Sequence, residues 1–167
     1  MEHHFMREYS HSSAPETVLA AASQRTRNLR LGHAVVVLPY NHAIRVAERA
    51  AALDILSHGR LEMGIGRGFS PKEYQIFGNR MADSRLHLQE GLQILRQAGG
   101  GAFSHHGKLY DFSDLDILPK PLQQPPPSPV GGRRESGNFP VGGTRGHWRA
   151  FRAIQTLVPD QTGSACL

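Results

Sequence analysis

The stretch LGHAVVVLPYNHAIRVAERAAALDILSHGRLEMGIGRG, residues 31–68, decides the fold. Its opening run, Ala34-Val35-Val36-Val37-Leu38, is apolar and β-branched without polar alternation. That predicts a parallel strand over residues 29–38, buried on both faces and ended by Pro39. Ile44, Ala47, Ala51 and Ile55 recur at helical spacing, so residues 42–56 are expected to form a helix, with Ser57-His58-Gly59 as the turn behind it. Residues 61–65 read as a second short strand that runs into Gly64-Ile65-Gly66-Arg67-Gly68. Strand, helix, strand with such short connections implies a parallel sheet with helices packed on it.

Upstream, Ala14-Pro15-Glu16 opens a helix, because proline fits a first turn and an acidic residue there suits the dipole. Downstream, Leu88, Leu92 and Leu95 share one face of a helix expected over residues 84–97. After Gly99-Gly100-Gly101 the pattern weakens. Residues 108–118 suit a hairpin or an excursion, and residues 119–129 a proline-rich linker. From Val130 onward the chain is rich in Gly, Arg and Pro without periodicity, which predicts an irregular tail.

No apolar run approaches the roughly 20 residues that a bilayer span needs, and the start lacks the layout of a secretory signal. The single cysteine, Cys166, supports no disulfide framework. A cytoplasmic setting without a membrane partner is expected. The formal net charge of +5 is unevenly spread: residues 1–125 hold 14 Lys and Arg against 12 Asp and Glu, whereas residues 126–167 hold 5 Arg against 2 acids. The organised part is nearly neutral and lacks a basic stripe with interleaved aromatics, which argues against a nucleic-acid partner.

Three motifs bear on chemistry. In Glu2-His3-His4-Phe5, adjacent histidines on a strand point to opposite faces, so both cannot ligate one metal, and no metal site is expected. One of them can face a ligand and titrate near neutral pH, which suits proton transfer; the bland alternative is a solvated, frayed terminus. In residues 64–68 the glycines let backbone approach an anion, and Arg67 offers a fork of donors for phosphate. This is neither a dinucleotide fingerprint nor a P-loop, and its alternative is a strand-to-helix turn with an exposed arginine. Glu48 and Asp54 lie about 240° apart around a helix, so structural roles beside neighbouring arginines are expected. His105-His106, in a polar glycine-flanked turn, reads as solvated. No Ser-His-Asp or Cys-His constellation can be assembled.

The run EHHF, then residues 31–68, then EYQIFG and DSR resembles, in order and spacing, the luciferase-like flavin-dependent monooxygenases, the family of the bacterial luciferase α subunit. FSHHGKLYDF and the PLQQP run are also in character, so the resemblance covers about residues 1–125. It implies an α/β fold, a partial (β/α)8 TIM-type barrel holding about strands 2 to 4 with their helices, since a whole barrel needs roughly 250 residues. By that comparison the chain is truncated at both ends. Residues 2–5 close strand 2, residues 31–38 are strand 3 and residues 61–65 strand 4. Phe5, Leu38 and Ile65 then end neighbouring parallel strands on the face where barrel active sites lie. Residues 126–167 depart from the family pattern and are expected to be a tail that is disordered or read out of frame.

The resemblance also implies an activity: a monooxygenase that uses reduced flavin and O2 on an aldehyde or other small organic substrate. His3 is the expected catalytic, proton-handling residue. Ala34 and Val35 would lie behind the flavin ring, at a step that in relatives is often a non-proline cis peptide. Gly66 and Arg67 complete the expected cofactor contacts, Arg67 near the phosphate. Gly66 replaces the cysteine of true luciferases, which argues for a general oxidoreductase over light emission. The expected cofactor is reduced FMN, with the deazaflavin F420 as alternative. Expected partners are a small-molecule substrate, O2, a separate flavin reductase and a second copy in a dimer. Alone, the chain is expected to bind reduced FMN weakly or not at all. The rival is a non-catalytic fragment of such an enzyme, which flavin absorbance on the purified chain would discriminate.

Overall fold

The computed structural model describes residues 2–8, 10–127 and 129–131. Helix α1 (Pro15–Arg25) leads to strand β1 (Leu31–Val37), a 3-10 turn (Leu38–Tyr40), helix α2 (Ala43–Leu56) and strand β2 (Leu61–Gly66). A short helix α3 (Pro71–Ile76) precedes helix α4 (Ser84–Gln97), and strands β3 (Phe103–His106) and β4 (Asp111–Leu115) follow. A two-residue strand β5 (Val130–Gly131) closes the described part. Pro15 occupies the first turn of α1 with Glu16 beside it and Arg25 in the last turn, the polarity that the helix dipole favours.

β1, β2 and β5 form one sheet in the order β1-β2-β5, parallel throughout. Leu31 pairs with Leu61 and His33 with Met63, but the register then slips, so that Val36 meets Ile65 and Val37 meets Gly66. One extra residue on β1 makes this a bulge at Ala34 and Val35, a device that bends a strand and re-aims its side chains. β3 and β4 form a separate antiparallel hairpin.

The core lies between one face of the sheet and helices α2 and α4. Leu61, Met63 and Ile65 alternate toward it from β2 and meet Val46, Ala47, Ala50 and Leu53 of α2 and Leu92, Ile94 and Leu95 of α4. The packed face of α2 is rotated from the expected one: its small residues lie against the sheet, whereas Ile55 is exposed. Alanines let a helix approach the sheet closely, and a bulky isoleucine at its end has no equivalent slot. The opposite sheet face is covered only in part among the described residues: Val37 is buried at the C-terminal end of β1, but the start of the strand on this face is not. Gly32 is exposed and Ala34 and Val35 are half-buried, so β1 is not covered on both faces as its apolar run predicted.

Other expectations need correction. Residues 2–4 take no strand conformation, and Phe5 has a positive φ of 61°, so this segment closes no strand among the described residues. Side-chain hydrogen bonds hold it instead of a ladder. The hairpin falls on residues 103–115 with its turn at Gly107, earlier than the 108–118 expected. The proline-rich run is docked rather than a loose linker: Gln123 donates to the Asp54 carboxylate from its backbone N (2.9 Å) and from Nε2 (2.6 Å). Asp54 is fully buried, and its partner is this glutamine and not an arginine. Glu48 does pair with an arginine, Arg45, at 3.0 Å. Beyond residues 126, 127 and 129–131, the segment expected as a tail lies outside the described residues.

Candidate active site

Because β1 and β2 run parallel, their C-terminal ends emerge on one edge, with Val37 opposite Gly66. Three chain segments meet there: residues 2–5, the 3-10 turn after β1, and residues 67–70 leading into α3. The buried Glu2 carboxylate joins the first two, accepting from Val37 N (2.8 Å) and from Asn41 Nδ2 (2.9 Å). It also contacts His4 Nε2 at 3.2 Å.

The paired histidines diverge. His4 lies edge-on to Phe77 with ring centroids 4.8 Å apart, and its backbone N–H donates to Glu73 Oε1 at 2.7 Å. His3 is half-buried and lies edge-on to Phe69, centroids 5.5 Å apart. Burial lowers the His3 pKa below the ordinary histidine value, and the Glu73 charge offsets part of that. The ring is therefore neutral at pH 7, with one nitrogen able to accept a proton. Phe69 itself is largely exposed.

The Ala34–Val35 peptide bond is cis, as the resemblance suggested. The bulge presses Val35 against Gly66: a Cβ added at Gly66 would lie 2.5 Å from Val35 Cγ2. Arg67 is half-buried, its Nη1 lies 3.4 Å from Ser84 Oγ, and its carbonyl accepts from the Tyr74 hydroxyl. Gly68 has φ +76° and is crowded by Tyr40 Oη, so only glycine fits that turn. Burial, and after it the Glu73 charge, push the Tyr40 phenol well above its usual range. Tyr40 Oη has no hydrogen-bond partner although buried.

His3, Ala34, Val35, Gly66 and Arg67 thus lie on or beside one edge of the sheet. Three of the buried carboxylates, Glu2, Glu73 and Glu90, have no role assigned from the sequence, and the first two belong to this edge. Glu2 belongs to the EHHF run but reads as a charged terminus. Glu73 is signalled by Ser70-x-x-Glu73, a capping-box spacing in which Ser70 Oγ does accept from Glu73 N at 3.4 Å. His105, expected to be solvated, is buried and lies 3.4 Å from Glu90 Oε2; His106 is exposed and pairs with Asp111 at 2.6 Å. No group of three or more His, Cys, Asp or Glu among the described residues is arranged to hold a metal. No helix there is long and apolar enough to cross a membrane.

A parallel α/β sheet with polar groups gathered beyond its strand ends places the chain among the α/β folds, a class in which ligands commonly bind at that edge. Residues 1–148 match the family profile of luciferase-like monooxygenases, and the chain belongs to that family. It is 34% identical over 128 residues to the oxygenase component of the flavin-dependent trigonelline monooxygenase of Acinetobacter baylyi, covering 75% of this chain and 35% of that one. Among solved structures, a monooxygenase from Streptomyces bottropensis superposes with a TM-score of 0.75 at 34% identity, covering 78% of this chain and 40% of its own. The oxygenating constituent of 3,6-diketocamphane monooxygenase from Pseudomonas putida, solved with FMN, gives 0.68 at 25% identity, with 78% and 39% covered. The F420-dependent tetrahydromethanopterin reductase of Methanopyrus kandleri shares the fold, with a TM-score of 0.56 at 21% identity, and 70% and 37% covered. The chain spans a little over a third of the length of curated relatives such as these.

Proposed function

We propose that the described residues form one wall of a reduced-FMN site in a monooxygenase acting on a small organic substrate, and that the sheet is part of a (β/α)8 barrel. The reading rests on one observation: beyond the strand edge where Val37 faces Gly66, the His3 ring packs against Phe69, two residues after the half-buried Arg67. The donor set fits a flavin. Arg67 can bind a phosphate in a fork of N–H groups. Ala34 and Val35, pressed against Gly66, offer an apolar backing for a planar ring. Bound reduced flavin supplies the electrons that activate O2, and the protein holds, orients and shields. Here Arg67 and Gly66 orient, His3 accepts or returns a proton at a ring nitrogen, and Phe69 and Phe5 limit water at the edge.

FMN is preferred to F420 because the similar oxygenating constituent was solved with FMN, at higher identity than the F420-dependent neighbour. A separate reductase supplying the flavin is supported by the similar protein's being an oxygenase component. A dimer and a cytoplasmic setting complete the proposal.

Anaerobic titration of the purified chain with reduced FMN and with reduced riboflavin tests it. The expected result is weak binding in which the phosphate-bearing flavin is favoured, a preference that Arg67→Ala removes. Equal affinity for the two flavins would displace Arg67 from its role. Saturable micromolar binding would show that more than one wall is present. No flavin response at any concentration would favour a non-catalytic fragment.

A further inference from the structure

We propose that Glu73 is the positioning residue for His3, holding the His3–His4 backbone in place through the His4 N–H. The inference rests on the reading of His3 as the proton-handling group. Glu73 is 2% exposed and sits in the first turn of α3. A glutamate three residues after a capping serine ordinarily turns back to its own cap. Here Oε1 instead accepts the His4 backbone N–H at 2.7 Å, across 69 positions of sequence. Desolvation strongly disfavours a buried carboxylate unless hydrogen bonds and charge compensate it, so this diversion marks a specific demand at the histidine turn.

Geometry and charge act together. The His4 N–H adjoins the His3 carbonyl in one peptide plane, so fixing it fixes the plane from which the His3 side chain departs. Glu2 holds the same turn from the other side through the His4 ring. At the His3 ring, burial, the terminal ammonium and His4 disfavour the proton, while Glu73 and then Glu2 favour it. Glu73 is the strongest of the charges acting there. Glu73 thus keeps the ring basic enough to accept a proton despite its burial.

The test follows the His3 ring protons by NMR across pH, assigned by His3→Gln, and needs no cofactor. Glu73→Gln keeps an oxygen for the His4 N–H but removes the charge. The His3 midpoint is expected to fall by roughly half a pH unit or more. An unchanged midpoint in a folded Glu73→Gln chain overturns the proposal. The native chain supplies a second measurement: the His4 amide should exchange about tenfold more slowly than that of Phe5. Equal rates overturn it too. If flavin binding fails while both results hold, the monooxygenase reading falls and the Glu73–His3 coupling stands.

Discussion

Val35 and Gly66 are locked across the β1–β2 pair: the Val35 Cγ2 methyl occupies space within 2.5 Å of where a Gly66 Cβ would stand. The bulge that slips the register by one residue brings the valine there, and the missing side chain on β2 accommodates it.

Gly66→Ala therefore overpacks the strand pair. It should destabilise the fold by roughly 1–3 kcal/mol, read from urea denaturation. Val35→Ala in the same chain should recover most of the loss, because the two positions share one contact. Additive effects of the two substitutions would rule out the direct clash.

His33 gives the fold an acid-sensitive element. It is 4% exposed, its Nδ1 has no partner, and burial, opposed by the Glu16 charge, lowers its pKa from 6.5 to about 4. The unfolded chain binds a proton here that the folded chain refuses, so stability is complete above pH 6.5 and drains away as the pH falls toward 4. The loss over that window should be roughly 3 kcal/mol. Urea midpoints at closely spaced pH values check this; His33→Leu should flatten the slope by one proton, and an unchanged slope would contradict the assignment.

Glu90 clasps the hairpin onto α4. Its carboxylate accepts from the backbone N–H groups of Lys108 (2.9 Å), Leu109 (3.1 Å) and Tyr110 (3.3 Å). Burial alone raises its pKa, but these donors and His105 outweigh that, and the net shift is downward. Its contribution is thus present above the ordinary glutamate pKa and fades as pH falls through the lower folded value. Glu90→Ala strands those donors and should cost about 2–4 kcal/mol. Amide exchange at residues 108–110 should accelerate in step, and protected amides in the variant would refute the clasp.

Asp54 anchors the proline-rich run in the same manner through Gln123. Asp54→Ala should release residues 118–127 and expose them to limited proteolysis, with a stability loss of roughly 2 kcal/mol. Cleavage no faster than in the parent chain would argue that proline packing alone holds the run.

Much of the architecture was legible because it rests on local periodicity. The unalternating run at residues 34–38 marked β1, the apolar spacing marked α2 and α4, and Pro15 marked the start of α1. The short helix α3 was not anticipated, since six residues carry too little periodicity to stand out. The EHHF segment forms no strand among the described residues: its His4 N–H goes to the Glu73 side chain, and its Glu2 side chain takes the Val37 N–H, where a ladder would pair backbone with backbone. His105 looked solvated by its glycine neighbour, yet the hairpin folds back to bury it against Glu90.

The sequence by itself determined the succession of α1, β1, α2, β2 and α4, the family and the glycine-arginine turn after β2, because these are written in neighbouring residues and in motif order. Only the tertiary structure decided the partners of Glu2, Asp54, Glu73 and Glu90. A carboxylate buried away from water must find donors, and those donors belong to segments as far as 69 positions away that only packing brings within reach.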